Sequence, residues 1–402
     1  MPSITKNKNK NGEVISYTIR VYRGYDQNGV RLKPYTTTYT PEKTLTSRQI
    51  EKELNKRAIQ FEEQCKKGLI GTAENIRLSE FAASYLEAMK DKLSPVVYDS
   101  YEKVIRDIII PALGHHKISE IRPIHVQEFV KILSNLPKRE RNGEIGTGKV
   151  SPSTVKRKLA VLQSMLTFAV KLGYISSNPA DAKRLTLPKT TKPEIQIFTK
   201  QEAANILVCL QDEPLQFQTL IQLAIFTGAR EGELVGLKFS DINFMTNKMT
   251  ISRSAYKLKG EEVKTKAPKS NKTRTVSLNA SCVELLKRLS QQHMAEKHRI
   301  GTQWVGDDWV FTQWNGDIMH PQTPSRQFDK FLKRHNIPHR KFHSLRHTSA
   351  TLLLYNGTDL KTVQERLGHA DFTTTNKYLH LVEQADVEAA NALESLLTEK
   401  HA

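Results

Sequence analysis

Three short stretches in the C-terminal half of the sequence gather cations, imidazoles and a phenol. "FTGAREGELVGL" (226–237) carries Arg230 just past the turn residue Gly228. "HSLRH" (343–347) sets His343 and His347 four residues apart with Arg346 between them, and "LGHADFTTTNKYLH" (367–380) puts His369 nine residues ahead of Tyr378. Arg230 falls in the first turn of a helix, where a cation opposes the helix dipole at a cost of roughly a few tenths of a kcal/mol, so stability alone would not select it. Facing an anion, the same guanidinium adds to the field of the helix N-terminus. The alternative is a surface ion pair with Glu231 or Glu233. The spacing of the two histidines also suits zinc. However, position 344 is serine where a zinc-protease helix has glutamate, and Arg346 would repel a divalent ion. An imidazole beside a guanidinium suits a phosphate oxygen better; for His347, a capped core histidine is an equally fair reading. Tyr378 is one of 12 tyrosines, so by number alone it is structural.

The lysine-rich turn "KTKAPKSNKTRTVSL" (264–278) lies between these stretches. One of its lysines could protonate a leaving oxygen; for most of them a solvated loop is the better reading. Taken together, two arginines, histidines, a lysine and a tyrosine suit one reaction. The tyrosine hydroxyl attacks a phosphodiester, the arginines hold the non-bridging oxygens, and the lysine protonates the leaving 5′ oxygen. Negative charge develops on the phosphoryl group in the transition state, which is where fixed guanidinium groups act.

Composition points the same way. Lys plus Arg number 61 against 42 Asp plus Glu, a net charge of +19, which favours a polyanionic partner, most simply nucleic acid. No basic amphipathic helix with an aromatic-rich apolar face stands out, no apolar run is long enough to span a bilayer, and the N-terminus has no apolar signal core. Cys65, Cys209 and Cys282 are scattered without CxxC spacing, which argues against a disulfide framework or zinc ribbon and suits a reducing cytoplasm. "GEIGTGKV" (143–150) nearly spells a phosphate-binding loop, but Val150 stands where Ser or Thr is required and no strand precedes it. It reads as a flexible basic turn, and nucleotide chemistry has no support.

The elements that must position these residues can be traced along the chain. Residues 15–40 read as strands, with Ile15, Tyr17, Ile19 and Val21 alternating against Thr18, Arg20 and Tyr22, and a turn at 26–29. Thr46 to Gln49 spells a capping box ahead of a helical stripe of Ile50, Leu54, Ala58, Phe61 and Cys65 ending at Gly68. Four helices follow in 75–185. The first is capped by Ser79, the second stops at Pro111, the third follows Pro123, and the fourth opens at Ser153-Thr154 with Lys156, Arg157 and Lys158 off its apolar face. A Pro/Lys/Thr linker (186–197) leads to a new domain near Phe198, helical at first, strand-like from Asp241 to Leu278, and helical again to the end. Val387, Ala390, Leu393 and Leu397 form one stripe of a C-terminal tail helix. The fold class is therefore multidomain and mainly α: a small β-sheet-plus-helix N-terminal domain, a helical bundle, and a mixed α+β catalytic domain with a small antiparallel sheet.

"TGAREGELVGLKFSDI", "HSLRHTSATLLL" and "LGHADFTTTNKYLH" each resemble a box of the tyrosine recombinase (phage integrase) family, and they occur in that family's order. The resemblance covers almost the whole chain. Its layout is similar to integrases of phages and conjugative transposons from low-GC Gram-positive bacteria. It implies an arm-site DNA-binding domain at 1–70, a core-binding (SAM-like) domain at 75–185 and a catalytic domain at 198–402. It implies that Arg230 and Arg346 clamp the scissile phosphate, that His343 and His369 hydrogen-bond it or manage the nucleophile's proton, and that Tyr378 forms a 3′-phosphotyrosyl link. Lys269 is the implied general acid, with Lys266 and Lys272 as alternatives because Ser277 departs from the family's usual proline; His347 is given a supporting role. The implied partners are double-stranded DNA at core and arm sites, three further copies in a synaptic tetramer (with the tail docked on a neighbour), a small directionality factor and a host DNA-bending protein. No cofactor, metal or membrane is implied, and the expected location is the bacterial cytoplasm. A type IB topoisomerase-like enzyme without synapsis and a non-catalytic DNA-binding regulator are the alternatives.

Overall fold

The computed structural model describes residues 2–8, 12–22, 24, 31, 34–42, 45–66, 76–139, 144–190, 195–268, 273–306, 308–368, 375 and 378. Two compact units emerge, Met1–Thr191 and Lys192–Ala402.

The first unit opens with an antiparallel sheet of β1 (Ser3–Lys8), β2 (Val14–Val21) and β3 (Tyr35–Tyr39), in that order. The alternation in β2 turns Tyr17, Ile19 and Val21 toward α1 (Ser47–Lys66), whose Leu54, Ala58 and Phe61 complete a small core. Ile15, expected on that apolar face, is exposed instead. Half of the box at Thr46 forms: the Thr46 N–H donates to Gln49 Oε1 at 2.9 Å, while the Gln49 N–H bonds the Thr46 carbonyl rather than its hydroxyl. The strand missed by sequence is β1. "SITKNK" has no apolar alternation and exists as a strand because β2 supplies its hydrogen-bond partners.

The bundle contains α2 (Leu78–Met89), α3 (Pro95–Val104), α4 (Ile110–Leu113), α5 (Pro123–Asn135) and α6 (Pro152–Lys171). Three expectations change here. Ser79 lies inside α2, and Arg77 occupies the capping position. The second helix does not stop at Pro111. A π-turn (Ile105–Ile109) joins α3 to α4, so Pro111 sits at the start of a new helical segment, where its missing N–H costs nothing. Ser151 caps α6 by accepting from the Thr154 N–H at 3.3 Å. The stretch resembling a phosphate loop is an antiparallel hairpin, β4 (Pro137–Arg139) with β5 (Ile145–Lys149), an extended conformation unlike a phosphate cradle.

The second unit is built on α8 (Leu215–Thr227), apolar on nearly every side and packed against α10 (Ala280–Ile300), α11 (Thr323–Arg334) and α12 (His343–Tyr355). Also present are α7 (Lys200–Cys209), the short α9 (Glu231–Val235) and α13 (Leu360–Leu367). The strand-like region forms two separate pieces. One is a three-stranded sheet ordered β10 (Arg274–Ser277), β7 (Lys248–Ile251), β6 (Ile242–Asn243); the other is a hairpin of β8 (Ser254–Lys257) and β9 (Val263–Lys266). Phe198 is buried in this unit's core, and its N–H donates to Thr348 Oγ1 at 2.8 Å. The proposed tail helix lies outside the described residues.

Candidate active site

Buried α8 ends at Gly228, whose φ of +63° is reached cheaply by glycine alone. A side chain there would also collide with Leu367. The turn places Arg230 immediately before α9, at the capping position rather than within the first helical turn. Glu233, three residues on, accepts from the Arg230 backbone N–H at 3.0 Å and from Arg230 Nη1 at 2.8 Å. The ion pair expected as the ordinary alternative for Arg230 is therefore present, but it is not a surface pair. Glu233 is buried and also receives Arg274 Nη1 at 3.2 Å and Nη2 at 2.6 Å. Burial alone would raise the Glu233 carboxyl, yet Arg274 and Arg230 hold it down to about 2.

Arg346 arrives from α12 and is the largest fully buried side chain among the described residues, 2% exposed. Its Nη1 donates to Gly228 O at 2.6 Å and its Nη2 to Leu367 O at 2.8 Å. Burial and the nearby Arg230 charge pull its pKa down to about 9, leaving it protonated at neutral pH. The last carbonyls of α13, which have no partner within their own helix, serve as a common anchor. Arg274 Nε donates to Arg366 O at 3.0 Å, Arg346 Nη2 to Leu367 O, and Arg230 Nη2 reaches Gly368 O at 3.5 Å, the outer limit for a hydrogen bond. Cations at a helix C-terminus also suit its dipole. Gly368, with φ of +66°, ends α13, and any side chain there would strike Arg274.

His343 and His347 share one face of α12 with their rings 4.6 Å apart and nearly perpendicular. Burial, each other's proximity and the guanidinium groups lower His343 to about 4, although the residue keeps solvent access. His347 falls to about 4 through burial and Arg346. Both are neutral at physiological pH, and the adjacent arginines make the face unsuited to a divalent cation. Among the described residues, no group of three His, Cys, Asp or Glu could hold a metal, and no helix is long and apolar enough to cross a membrane.

Tyr378 lies in the same place. Its ring is 2% exposed and packs with Ala350, Leu354, Val363 and Leu367, and its hydroxyl is 2.7 Å from His347 Nδ1. Burial raises the phenol's pKa, against the pull of Arg346 and Arg230. The structure thus brings together Arg230, His343, Arg346 and Tyr378. Lys269, Lys272 and His369 lie outside the described residues. Lys266, at the end of β9, is described: its ammonium sits over the Tyr256 ring, 5.3 Å from the centroid. Sequence reasoning missed Arg274 altogether and gave Glu233 only a surface role. The available signal was the Arg-x-x-Glu spacing of a capping box; nothing local marks Arg274.

Comparison with known proteins agrees with this geometry. The chain matches the phage integrase family over residues 196–385 and the phage integrase N-terminal SAM-like domain over 77–134, together more than half its length. It belongs to the phage integrase (tyrosine recombinase) family, and so to a class of DNA recombinases. A tyrosine recombinase XerC-like protein of Caldanaerobacter subterraneus subsp. tengcongensis is 29% identical, the match covering 96% of this chain and 97% of the relative. In fold the chain is similar to the Tn1549 transposon integrase solved with a circular intermediate DNA (18% identity, TM-score 0.62, 76% of this chain and 95% of that one). It is also similar to the lambda integrase tetramer solved on a Holliday junction (16% identity, TM-score 0.55, 92% and 93%).

Proposed function

We propose that the protein is a site-specific integrase that cuts and rejoins duplex DNA through a 3′-phosphotyrosyl intermediate on Tyr378, integrating and excising a mobile element. The observation that carries this reading is the burial of Tyr378 against α12, its hydroxyl 2.7 Å from His347 and within electrostatic reach of Arg346 and Arg230. In the cleavage step Tyr378 Oη passes its proton to an active-site imidazole and forms a bond to phosphorus as the P–O5′ bond breaks. Arg230 and Arg346 hold the non-bridging oxygens, His343 and His369 hydrogen-bond the phosphate, and a lysine of the 264–278 turn, Lys269 by our assignment, protonates O5′. The phosphotyrosyl bond conserves the energy of the phosphodiester, so rejoining needs no nucleotide.

The N-terminal sheet supports an arm-site role. Its register places Ser3, Arg20 and Thr36 in one row and Thr5, Thr18 and Thr38 in the next, on the face away from α1. Asn7 Nδ2 donates to Ser16 Oγ and Thr18 Oγ1, both at 2.9 Å. A face of hydroxyls, an amide and a guanidinium fits base edges and phosphates. Assembly as a tetramer on paired sites is proposed by analogy with the lambda integrase tetramer on a Holliday junction, and the bundle at 75–185 is assigned to the core sequence.

A nicked suicide substrate should trap a covalent protein–DNA adduct, and Tyr378→Phe should form none. A normal adduct yield from the Phe variant would overturn the assignment. Recombination between two specific sites, measured in the same preparation, separates an integrase from a topoisomerase-like enzyme, which would relax supercoils without paired sites.

A further inference from the structure

We propose that His347, the second histidine of "HSLRH", is the residue that holds and orients the Tyr378 hydroxyl through a hydrogen bond accepted at Nδ1. The inference rests on Tyr378 being the nucleophile. It assigns to His347 the part that the family resemblance gave to His343 or His369.

The contact is short, 2.7 Å, between atoms brought together across 31 residues of sequence, and the two rings lie 5.5 Å apart. Tyr378 is buried, a buried hydroxyl is costly to leave without a hydrogen bond, and the His347 imidazole supplies one at short range. A neutral imidazole can accept at Nδ1 only when its other nitrogen carries the hydrogen. The groups facing His347 enforce the neutral form: the Arg346 guanidinium, the His343 ring and the Tyr378 phenol itself, within an apolar surround that lowers its pKa to about 4. The neutral ring carries a single hydrogen, which we place on Nε2, so that Nδ1 accepts from the Tyr378 hydroxyl. A phenol that points its proton at His347 turns its oxygen lone pairs away from the imidazole, the orientation that attack on a phosphorus atom requires. The same bond fixes the ring against α12, the helix that also carries Arg346, so nucleophile and clamp share one rigid support. His343 instead keeps solvent access, as a group meant to meet the incoming phosphate would.

The test uses two substitutions of nearly identical shape. His347→Leu removes the acceptor; His347→Asn keeps an oxygen close to the position of Nδ1. Adduct formation on the suicide substrate is measured at saturating DNA, with DNA affinity and melting temperature recorded for each protein. The Leu variant should form adduct about a hundredfold more slowly with near-normal affinity, and the Asn variant should recover to within about tenfold of the native rate, the scale expected for misplacing a reacting group. A substrate with sulfur in place of the 5′ oxygen, which needs no proton donor, should leave the Leu defect in place. His347→Phe replaces the Leu variant if the latter does not fold. A native rate in the acceptor-free variant overturns the proposal, as do equal losses in two well-folded variants or full rescue by the sulfur substrate. Adduct formation by Tyr378→Phe would instead overturn the nucleophile assignment on which the proposal rests.

Discussion

The N-terminal sheet and the arginine site handle positive charge and polarity in opposite ways. In the sheet, Arg20 and the threonines stand on an exposed face over a core of only Ile19, Tyr39, Leu54, Ala58 and Phe61. In the second unit, Arg346 and Arg274 are withdrawn from water and each has named acceptors: carbonyls at the ends of α8 and α13, or the Glu233 carboxylate. The difference follows from what each region is asked to do. Reading a groove requires groups that can adjust to a wet, variable surface, and exposed contacts of that kind are individually weak. Stabilising a charge that appears only in a transition state requires groups already fixed in a low-dielectric place.

The sharpest way to break this contrast is to remove the shared carboxylate. Glu233→Gln leaves Arg230 and Arg274 without their counter-charge. It should cost about 3 kcal/mol of stability, as expected for a broken buried pair, and slow adduct formation about a hundredfold through misplacement of Arg230. Denaturant unfolding and the suicide substrate read the two effects. Native values for both would mean that the clamp is held by the α13 carbonyls alone.

A second prediction concerns acid. His347 and His343 have folded-state pKa values near 4, below the ordinary 6.5, so the unfolded chain takes up protons first as pH falls. The histidines' contribution to the stability of the second unit should therefore be lost between pH 6.5 and 4 and change no further below that. The loss is on the order of 2 kcal/mol from His347 and smaller from solvent-open His343, lowering the melting temperature by about 5 °C. Glu233 acts in a separate window, from about 4.5 down to 2. His347→Asn should flatten the first decline; an unchanged slope would place its origin elsewhere. The smallest effect belongs to the sheet. Arg20→Ala should weaken binding of an arm-type duplex about fivefold and reduce the salt dependence by about one counterion, without altering cleavage of a core-type substrate. A change in cleavage would show that the two regions are not separable.

Much of this was legible in the sequence because it is local. The α1 stripe follows from a 3.6-residue period that needs no partner to be recognised. The boxes holding Arg230, His343 and Arg346 could be read because each is short and its chemistry is unusual for a surface. β1 and the β4–β5 hairpin could not be read this way, because both are polar strands defined by their neighbours rather than by a buried face. Pro111 misled because its usual effect presumes an unbroken α-helix, and a π-turn resets the register before it.

The sequence by itself determined that a phosphate-seeking set of arginines, histidines, a lysine turn and a tyrosine exists in one basic chain, since residue type carries that chemistry wherever it sits. Only the tertiary structure decided which of them share a support and in what state. The carbonyls of α13 collect three arginines from separate elements, Glu233 is buried between two of them, and His347 is kept neutral beside Tyr378. Burial and pairing depend on contacts between residues up to 138 positions apart, and no local spacing rule encodes them.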